Sequence, residues 1–219
     1  MIAKELISQT IDSLRTSDTG EETITMMGIF HVKHLPIVNN EQLLGLISEE
    51  EILDKNMEEA IGSYRLNMIK PYVQQNDHLF EVMKLMSQYK LTVIPVVDHE
   101  NKYLGLITQE DLISYFARSF SFAEAGSIIV IETNKINYSL AEISRIVEGE
   151  GAAILATFLT HMMDSTKIQI TIKINQMSVG RIIASLERFD YHIQGAFTEN
   201  DYEDVLKDRY DSLMSYLNV

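Results

Sequence analysis

Hydrophobic residues lie three and four positions apart at Leu79, Val82 and Met86. This spacing is typical of a helix that buries one face. Two short apolar runs follow, Val93–Val97 and Tyr103–Ile107, and the stretch between them is polar and contains aspartate and asparagine. Such residues between apolar runs favour a hairpin turn. The pattern therefore predicts an amphipathic helix, near residues 79 to 89, followed by a β-hairpin.

The same order of patterns occurs about 60 residues earlier in the chain. A helix is predicted near residues 20 to 31, with apolar strands at Leu35–Val38 and Leu43–Ile47. Identical residues align at a spacing of 59 and, after one inserted residue, at a spacing of 60. The aligned pairs are Asp18/Asp77, Glu22/Glu81, Met27/Met86, Pro36/Pro95 and Val38/Val97, then Leu44–Ile47 with Leu104–Ile107 and Glu50/Glu110. The first half is therefore predicted to be a duplicated unit, with copies at 1–60 and 61–120.

The two copies share a motif that resembles a known family. In the first copy, Leu35–Val38 is followed by Gly45-Leu46-Ile47-Ser48-x-x-Glu51. In the second, Ile94–Val97 is followed by Gly105-Leu106-Ile107-Thr108-x-x-Asp111. These motifs resemble those of cystathionine-β-synthase (CBS) domains, and the tandem resembles a Bateman module. The resemblance implies two β-α-β-β-α units and two clefts that in many members hold AMP, ADP, ATP or S-adenosylmethionine.

The polar residues of this motif have a definite binding chemistry. Ser48 and Thr108 each stand at a predicted helix start, three residues before a carboxylate, Glu51 or Asp111. Unpaired backbone N–H groups and the helix dipole favour a phosphate there, and the carboxylate can accept hydrogen bonds from a ribose diol. Because Thr108 and Asp111 keep the family pattern, we expect one adenine ligand per chain there, with its phosphate or an equivalent anion near Thr108.

The same residues also fit a purely structural interpretation. Both pairs occupy the first and fourth positions of a helix N-terminus, and Ser48 with Glu51 has the composition of a capping box. We favour that structural role for Ser48 and Glu51, because the family pattern has aspartate where this chain has Glu51. Basic residues near the clefts are candidate partners for a phosphate: Lys33, Lys70, Lys90 and Arg118.

The second half of the chain shows a different order of elements. Strands are predicted at 127–131, 153–160, 167–174 and 191–197, and the third alternates apolar and polar residues without a break. Helical stripes are predicted behind a Ser139/Glu142 capping box and across Val179–Phe189. The order βαββαβ over 126–200 is that of a ferredoxin-like sandwich. The predicted fold class of the whole chain is therefore α+β.

With this order and length, the segment 126–200 resembles an ACT domain, a regulatory module that often binds amino acids at dimeric interfaces. Ligand sites in that family commonly use an Asp-x-x-Gly-x-Leu turn, whereas this chain has Asn134–Leu140 without a glycine. Tyr138 would place a side chain where the family lets the backbone approach a ligand. Paired CBS domains followed by an ACT-like domain also resemble the acetoin-utilisation-type proteins of bacteria.

Residues 201–219 form a further amphipathic pattern. A helix there would begin among acidic residues, which suit a helix N-terminus. Its apolar face would contain Tyr202, Val205, Leu206, Tyr210, Leu213, Met214 and Leu217. Two interpretations stay open: the helix covers its own sheet, or it contacts a partner or a second copy of the chain.

Composition and charge narrow the classes of function. Of 219 residues, 18 are Lys or Arg and 32 are Asp or Glu, so the formal net charge is -14. Nucleic acid and anionic membrane surfaces require dense positive charge, so neither is expected as a partner. The chain has no cysteine, which excludes disulfides and thiol nucleophiles. No apolar run is long enough for a membrane span and no signal-type stretch begins the chain, so we expect a cytoplasmic protein.

No combination of nucleophile, base and metal ligands emerges, so we expect no enzymatic activity, catalytic cofactor or metal site. The favoured interpretation is a regulatory protein that binds an adenine nucleotide or related adenosyl ligand in the CBS pair. It would signal to the ACT-like domain or to a regulated partner. The alternatives are a ligand-free oligomeric scaffold and an amino-acid sensor acting through the ACT-like domain. A homodimer is expected, because exposed sheet edges tend to be covered by a partner.

Overall fold

The computed structural model describes residues 1–64, 71–119, 121–122, 124–161 and 166–198, together with Met214 and Tyr216. The chain divides into two compact units, residues 1–116 and 117–219. Lys70 lies outside the described residues, as does the helix predicted over 201–219 apart from Met214 and Tyr216. In the described part of the chain, no helix is both long and apolar enough to cross a membrane.

The first unit contains both copies of the repeat. The first copy consists of helix α1 at Gly20–Ile29, strands β1 at His34–Asn39 and β2 at Gln42–Ser48, and helix α2 at Glu49–Leu53. The second copy consists of strand β3 at Val73–Gln74, helix α3 at Leu79–Gln88, strands β4 at Val93–Val97 and β5 at Tyr103–Thr108, and helix α4 at Gln109–Ser119. A parallel bridge between Leu14 and Ile37 stands where the second copy has β3. The predicted β-α-β-β-α order is therefore confirmed, with a short first strand.

Strand pairing is the same in both copies. Strands β1 and β2 pair antiparallel, as do β4 and β5, while β3 runs parallel to β4. The first hairpin turns through Asn40 and Glu41, whose φ angles of 46° and 68° suit the right-handed twist of the strands. In the longer second turn, Asp98 Oδ1 accepts hydrogen bonds from the backbone N–H groups of Glu100 and Lys102 at 2.8 and 2.9 Å. The residue inserted in the second copy lies in this turn.

Apolar strand residues form the core of the first unit. Leu35 and Ile47 of the first copy and Ile94 and Ile107 of the second have no exposed surface. Burying a side chain of this kind contributes about 1.5 to 3 kcal/mol. The unbroken apolar runs that predicted these strands therefore reflect burial on both faces of the hairpins.

The second unit is a four-stranded antiparallel sheet with two helices. Its elements are β6 at Ser127–Asn134, α5 at Leu140–Gly149, β7 at Ile154–His161, β8 at Lys167–Ile174, α6 at Gly180–Arg188 and β9 at His192–Thr198. The strand order is β7-β8-β6-β9, and every neighbouring pair is antiparallel. This is the split βαβ arrangement of a ferredoxin-like sandwich. The α+β fold class predicted from the sequence is confirmed.

The core of this unit explains the alternation in β8. Its apolar residues Ile168, Ile170, Ile172 and Ile174 are at most 2% exposed and pack with the helix residues Ile143, Val147, Ile182 and Leu186. Strand β8 lies inside the sheet, so its alternation separates a helix-covered face from the opposite face and does not mark an edge. Tyr138 also packs against this core. Tyr138 therefore has a structural role in this unit.

The capping box predicted at the start of α5 is only half formed. Ser139 Oγ accepts a hydrogen bond from the Glu142 backbone N–H at 3.2 Å, as predicted. The Glu142 carboxylate is directed elsewhere, because its Oε2 accepts a hydrogen bond from the Tyr191 hydroxyl at 2.8 Å. Glu142 thus joins α5 to the start of the last strand.

Candidate functional site

Helices α1 and α3 end in the same way. The backbone N–H of Phe30 donates to Met26 O at 3.0 Å, and that of Tyr89 donates to Leu85 O at 3.0 Å. The next residues, His31 and Lys90, both have φ of 53°, in the left-handed region that often terminates helices. His31 and Lys90 are therefore structurally equivalent residues, each placed between a helix and the following strand.

Equivalent backbone contacts also join these segments to α2 and α4. The Glu49 N–H donates to Lys33 O at 2.9 Å, and the Gln109 N–H donates to Thr92 O at 3.0 Å. Across the repeats, the Lys33 N–H donates to Thr92 Oγ1 at 2.8 Å. The two copies thus meet at the residues that precede β1 and β4 and at the start of the closing helices α2 and α4. One cleft lies on each side of this contact.

The first cleft contains Thr108 and Asp111 and is called the Asp111 cleft below. Its volume is about 400 Å³, and residues from the chain start, the end of α1 and the start of α4 surround it. The lining residues are Ser8, Thr10, Ile11, Ile29, Phe30, His31, Val32, Thr92, Thr108, Gln109, Glu110 and Asp111. Apolar side chains and two carboxylates therefore share one cavity.

Thr108 and Asp111 are held together at the start of α4. The Asp111 backbone N–H donates to Thr108 Oγ1 at 2.9 Å, and the Thr108 hydroxyl donates to Asp111 Oδ2 at 2.8 Å. Thr108 is 7% exposed. Among the described residues, Asp111 Oδ1 has no hydrogen-bond partner, so one carboxylate oxygen can accept hydrogen bonds from a ligand.

The second cleft contains Ser48 and is called the Ser48 cleft below. It consists of two adjoining cavities of about 310 and 340 Å³. Their lining residues are Lys33, His34, Leu46, Ser48, Glu49, Glu50, Glu51, Pro71, Tyr89, Lys90 and Leu91. Tyr89, Lys90 and Leu91 hold the positions that Phe30, His31 and Val32 hold in the Asp111 cleft. The duplication has therefore produced two related clefts.

Ser48 and Glu51 form a capping box at the start of α2. The Glu51 N–H donates to Ser48 Oγ at 3.2 Å, while Glu51 Oε2 accepts from the Ser48 N–H at 2.9 Å and from the Ser48 hydroxyl at 3.0 Å. The additional methylene group of glutamate lets its carboxylate reach the Ser48 backbone. The Glu51 carboxylate therefore accepts two hydrogen bonds from its own helix cap, whereas the Asp111 carboxylate accepts one.

The candidate basic residues are distributed unevenly between the clefts. Lys33 and Lys90 both line the Ser48 cleft, and no lysine or arginine among the described residues lines the Asp111 cleft. Arg118 lies in the last turn of α4 and lines neither cleft. Lys33 and Lys90, the basic residues expected to contact a phosphate, are thus at a different cleft from Thr108 and Asp111.

His34 lies at the Ser48 cleft and contacts the second copy. Its Nδ1 accepts a hydrogen bond from the Thr92 backbone N–H at 3.3 Å and lies 3.1 Å from Thr92 Oγ1. Burial lowers the pKa of His34, and nearby Lys33 adds to this, while Glu51 and Glu50 oppose it. The neutral imidazole is therefore the form that fits this contact.

Several lining residues were not predicted from the sequence. Phe30, His31 and Tyr89 precede the strands by only a few positions, whereas Lys90, which is equivalent to His31, was predicted as a basic residue near the clefts. The repeat itself contains the signal that could have found them, because both clefts use the same positions. What the alignment could not supply is that each cleft combines the helix end of one copy with the helix start of the other.

Comparison with known proteins identifies the family of the first unit. The CBS domain family matches residues 3–58 and 63–118, which together make up about half of the chain. Inosine-5'-monophosphate dehydrogenase of Methanocaldococcus jannaschii is 28% identical over 114 residues, an alignment that covers 51% of this chain and 23% of that enzyme. The chain therefore spans about a quarter of that relative's length.

Solved structures with a similar arrangement include a CBS domain pair/ACT domain protein from Thermotoga maritima and CBSX2 in complex with AMP. The first is 18% identical to this chain, with a TM-score of 0.48. The alignment covers 54% of this chain and 98% of that structure's chain. The second is 17% identical to this chain, with a TM-score of 0.46. The alignment covers 53% of this chain and 96% of that structure's chain. With a family match over both copies of the repeat, the chain belongs to the CBS domain family.

Proposed function

We propose that this protein is a non-catalytic regulatory module that binds an adenosine-containing ligand in the Asp111 cleft. The observation that carries the proposal is the Asp111 carboxylate, which is fixed through Oδ2 by Thr108 and keeps Oδ1 available. A ribose diol presents two adjacent hydroxyl donors to such an oxygen. Charge-assisted hydrogen bonds of this kind are stronger than those between neutral groups.

The walls of the Asp111 cleft support an adenosine ligand. Ile11, Phe30 and Val32 supply apolar surface for a purine, and the volume of about 400 Å³ lies in the range of small-molecule sites. Clefts at this position of CBS pairs commonly hold AMP, ADP, ATP or S-adenosylmethionine, and these are the candidate ligands.

Titration calorimetry with AMP, ADP, ATP and S-adenosylmethionine tests the proposal on three proteins: the unchanged chain, Asp111→Ala and Glu51→Ala. Loss of a carboxylate that accepts charge-assisted hydrogen bonds costs about 1.5 to 3 kcal/mol, which is about one to two decades of affinity. We expect that loss for Asp111→Ala. Glu51→Ala is the matched control and should lower stability by about 1 kcal/mol through its cap, with little change in affinity.

Two results would contradict this assignment. If Asp111→Ala lowers the melting temperature but leaves every affinity unchanged, Asp111 is a structural residue. If the unchanged chain binds none of the four ligands, the clefts are closed to adenosine and the chain acts as an interaction scaffold.

We also propose that the second unit is an ACT-like domain that receives the signal of ligand occupancy, directly or through a partner. Its strand order β7-β8-β6-β9 supports a regulatory sandwich of that type. The proposed division is CBS copies at 1–60 and 61–120, an ACT-like domain at 126–200 and a helix at 201–219. Hydrogen exchange across 126–198, with and without the bound ligand, tests the coupling. Protection that is identical in both states would contradict it.

A further inference from the structure

The two clefts use equivalent positions but differ in charge. At the left-handed position after the helix, the Asp111 cleft has His31 and the Ser48 cleft has Lys90, and both residues have φ of 53°. Two residues later in the repeat, the first copy has Lys33 and the second has Thr92. Each of these residues lines the cleft opposite to that of its own copy's left-handed residue, so Lys33 lines the Ser48 cleft and Thr92 lines the Asp111 cleft. The first helical turn supplies Glu110 and Asp111 to the Asp111 cleft and Glu49, Glu50 and Glu51 to the Ser48 cleft. In the Ser48 cleft Lys33 and Lys90 offset most of this negative charge, whereas the Asp111 cleft has no lysine at the equivalent positions.

The Asp111 cleft is consequently an acidic cavity. Glu110 and Asp111 both line it, and with histidine counted neutral no cationic side chain among the described residues offsets them. Both carboxylates lie in the first turn of α4, where they already complement the positive end of the helix dipole. A phosphate entering this cleft would gain little from the helix and would be repelled by Glu110.

We propose that the Asp111 cleft selects a cationic adenosyl ligand, of the sulfonium class represented by S-adenosylmethionine, over adenosine phosphates. This inference rests on the proposed function, because Asp111 must hold the ribose for the group on its 5′ carbon to lie near Glu110. The sulfonium and ammonium groups of S-adenosylmethionine outweigh its one carboxylate, so its net positive charge is attracted by Glu110 and Asp111, whereas each phosphate adds negative charge beside them. Near a protein surface, one unit charge placed about 4 to 8 Å from a ligand charge changes the affinity by about ten-fold.

The matched positions 31 and 90 supply the test. His31→Lys introduces a lysine at the Asp111 cleft. The chain already has a lysine with the same φ angle at the equivalent position, Lys90, so the backbone can accommodate it. His99→Lys is the control, since His99 is exposed in the β4–β5 turn, lines neither cleft and undergoes the same change in charge. Calorimetry at pH 7.5 measures the affinities of S-adenosylmethionine, AMP and ATP for the unchanged chain and for both variants, each with and without Asp111→Ala.

We expect Asp111-dependent binding of S-adenosylmethionine at least ten-fold tighter than that of ATP in the unchanged chain. His31→Lys should reduce this ratio by about ten-fold, and His99→Lys should leave it within two-fold. Asp111-dependent binding of ATP that equals or exceeds that of S-adenosylmethionine would overturn the charge selection while supporting the adenosine site. Absence of any Asp111-dependent binding would overturn both. An equal response of the ratio to both lysine variants would assign the effect to net charge and overturn the role of position 31.

Discussion

Lys33 and Thr92 occupy the same position in the two copies of the repeat, and the backbone N–H of Lys33 donates to Thr92 Oγ1 at 2.8 Å. In a twofold arrangement, equivalent residues meet only close to the axis. This contact therefore marks where the pseudo-twofold axis of the CBS pair passes. It also joins the two clefts, because Thr92 lines one and Lys33 lines the other.

The first prediction concerns this contact. Thr92→Val removes the acceptor of the Lys33 N–H while keeping the shape of the side chain, and should lower the free energy of unfolding by about 1 to 2 kcal/mol. Thr92→Ser keeps the hydroxyl and should cost less. Urea unfolding of the full chain measures both. A loss for Thr92→Val that is no larger than the loss for Thr92→Ser would show that this hydrogen bond contributes little to stability.

The second prediction is a pH dependence that arises from His34. Because its pKa is lowered in the folded protein, the unfolded chain binds a proton that the folded chain excludes once the pH falls below about 6.5. The free energy of unfolding should therefore fall as the pH decreases from about 6.5 towards the lower pKa of the folded state, with a slope of at most about 1.4 kcal/mol for each pH unit within that window.

His34→Asn offers a comparison for this effect, because its amide oxygen can accept the Thr92 N–H but does not titrate. Urea unfolding at pH 7.5 and pH 5.5 should show a smaller loss for His34→Asn than for the unchanged chain. The same loss in both proteins would mean that other groups carry the pH dependence.

The third prediction compares two buried tyrosine hydroxyls. Among the described residues, Tyr103 Oη is buried without a hydrogen-bond partner, whereas Tyr191 Oη donates to Glu142 Oε2 at 2.8 Å. Burial raises the pKa of both hydroxyls, and the bond to Glu142 helps to raise that of Tyr191 to about 12. Tyr103→Phe should leave stability unchanged or raise it by up to about 1 kcal/mol, while Tyr191→Phe should lower it by about 1 to 2 kcal/mol.

Thermal and urea unfolding of the two variants test this comparison. A Tyr103→Phe protein that is clearly less stable would indicate that its hydroxyl has a bound water as partner.

The fourth prediction is that the two halves fold separately. Each unit has its own buried apolar core, built from residues of that unit. Fragments 1–120 and 126–219 should each give circular dichroism with native-like helix and strand content and a cooperative thermal transition. If neither fragment folds alone, the units depend on each other or the boundary is misplaced.

The fifth prediction is a homodimer. Strand β8 lies inside the sheet and offers no edge to a partner. The edge strands β7 and β9 instead carry exposed apolar residues, with Leu159 41% exposed and Phe197 60% exposed. Covering such edges favours association. Light scattering at micromolar concentration should give about twice the chain mass of 25.0 kDa, and a value near 25 kDa would contradict the dimer.

Much of the fold could be predicted from the sequence, because its signals are local. The period of apolar residues marked the strands and helices of both units, and the repeat gave the order of elements in the CBS pair. The first strand of each copy was harder to predict, since a single bridge at Leu14 and the two residues Val73 and Gln74 leave no periodic pattern. The capping box at Ser48 and Glu51 was predictable because its bonds are confined to four consecutive residues.

The clefts were less predictable, because they depend on contacts between residues far apart in the chain. The motif identified Thr108 and Asp111 but not the residues that face them, such as Ser8 and Phe30. Sequence reasoning also placed Lys33 and Lys90 near a phosphate without assigning them to a cleft. Only the twofold relation between the copies places both lysines at the Ser48 cleft and leaves the Asp111 cleft without them.

Helix α4 begins directly after β5, carries Asp111 in its first turn and extends past residue 116, where the second unit begins. The chain therefore leaves the cleft as a continuous helix. Each residue of an α-helix corresponds to a rotation of about 100° and a rise of about 1.5 Å, so inserting or deleting one residue between Asp111 and Ser119 would rotate the last turn of α4 by about 100° relative to Asp111.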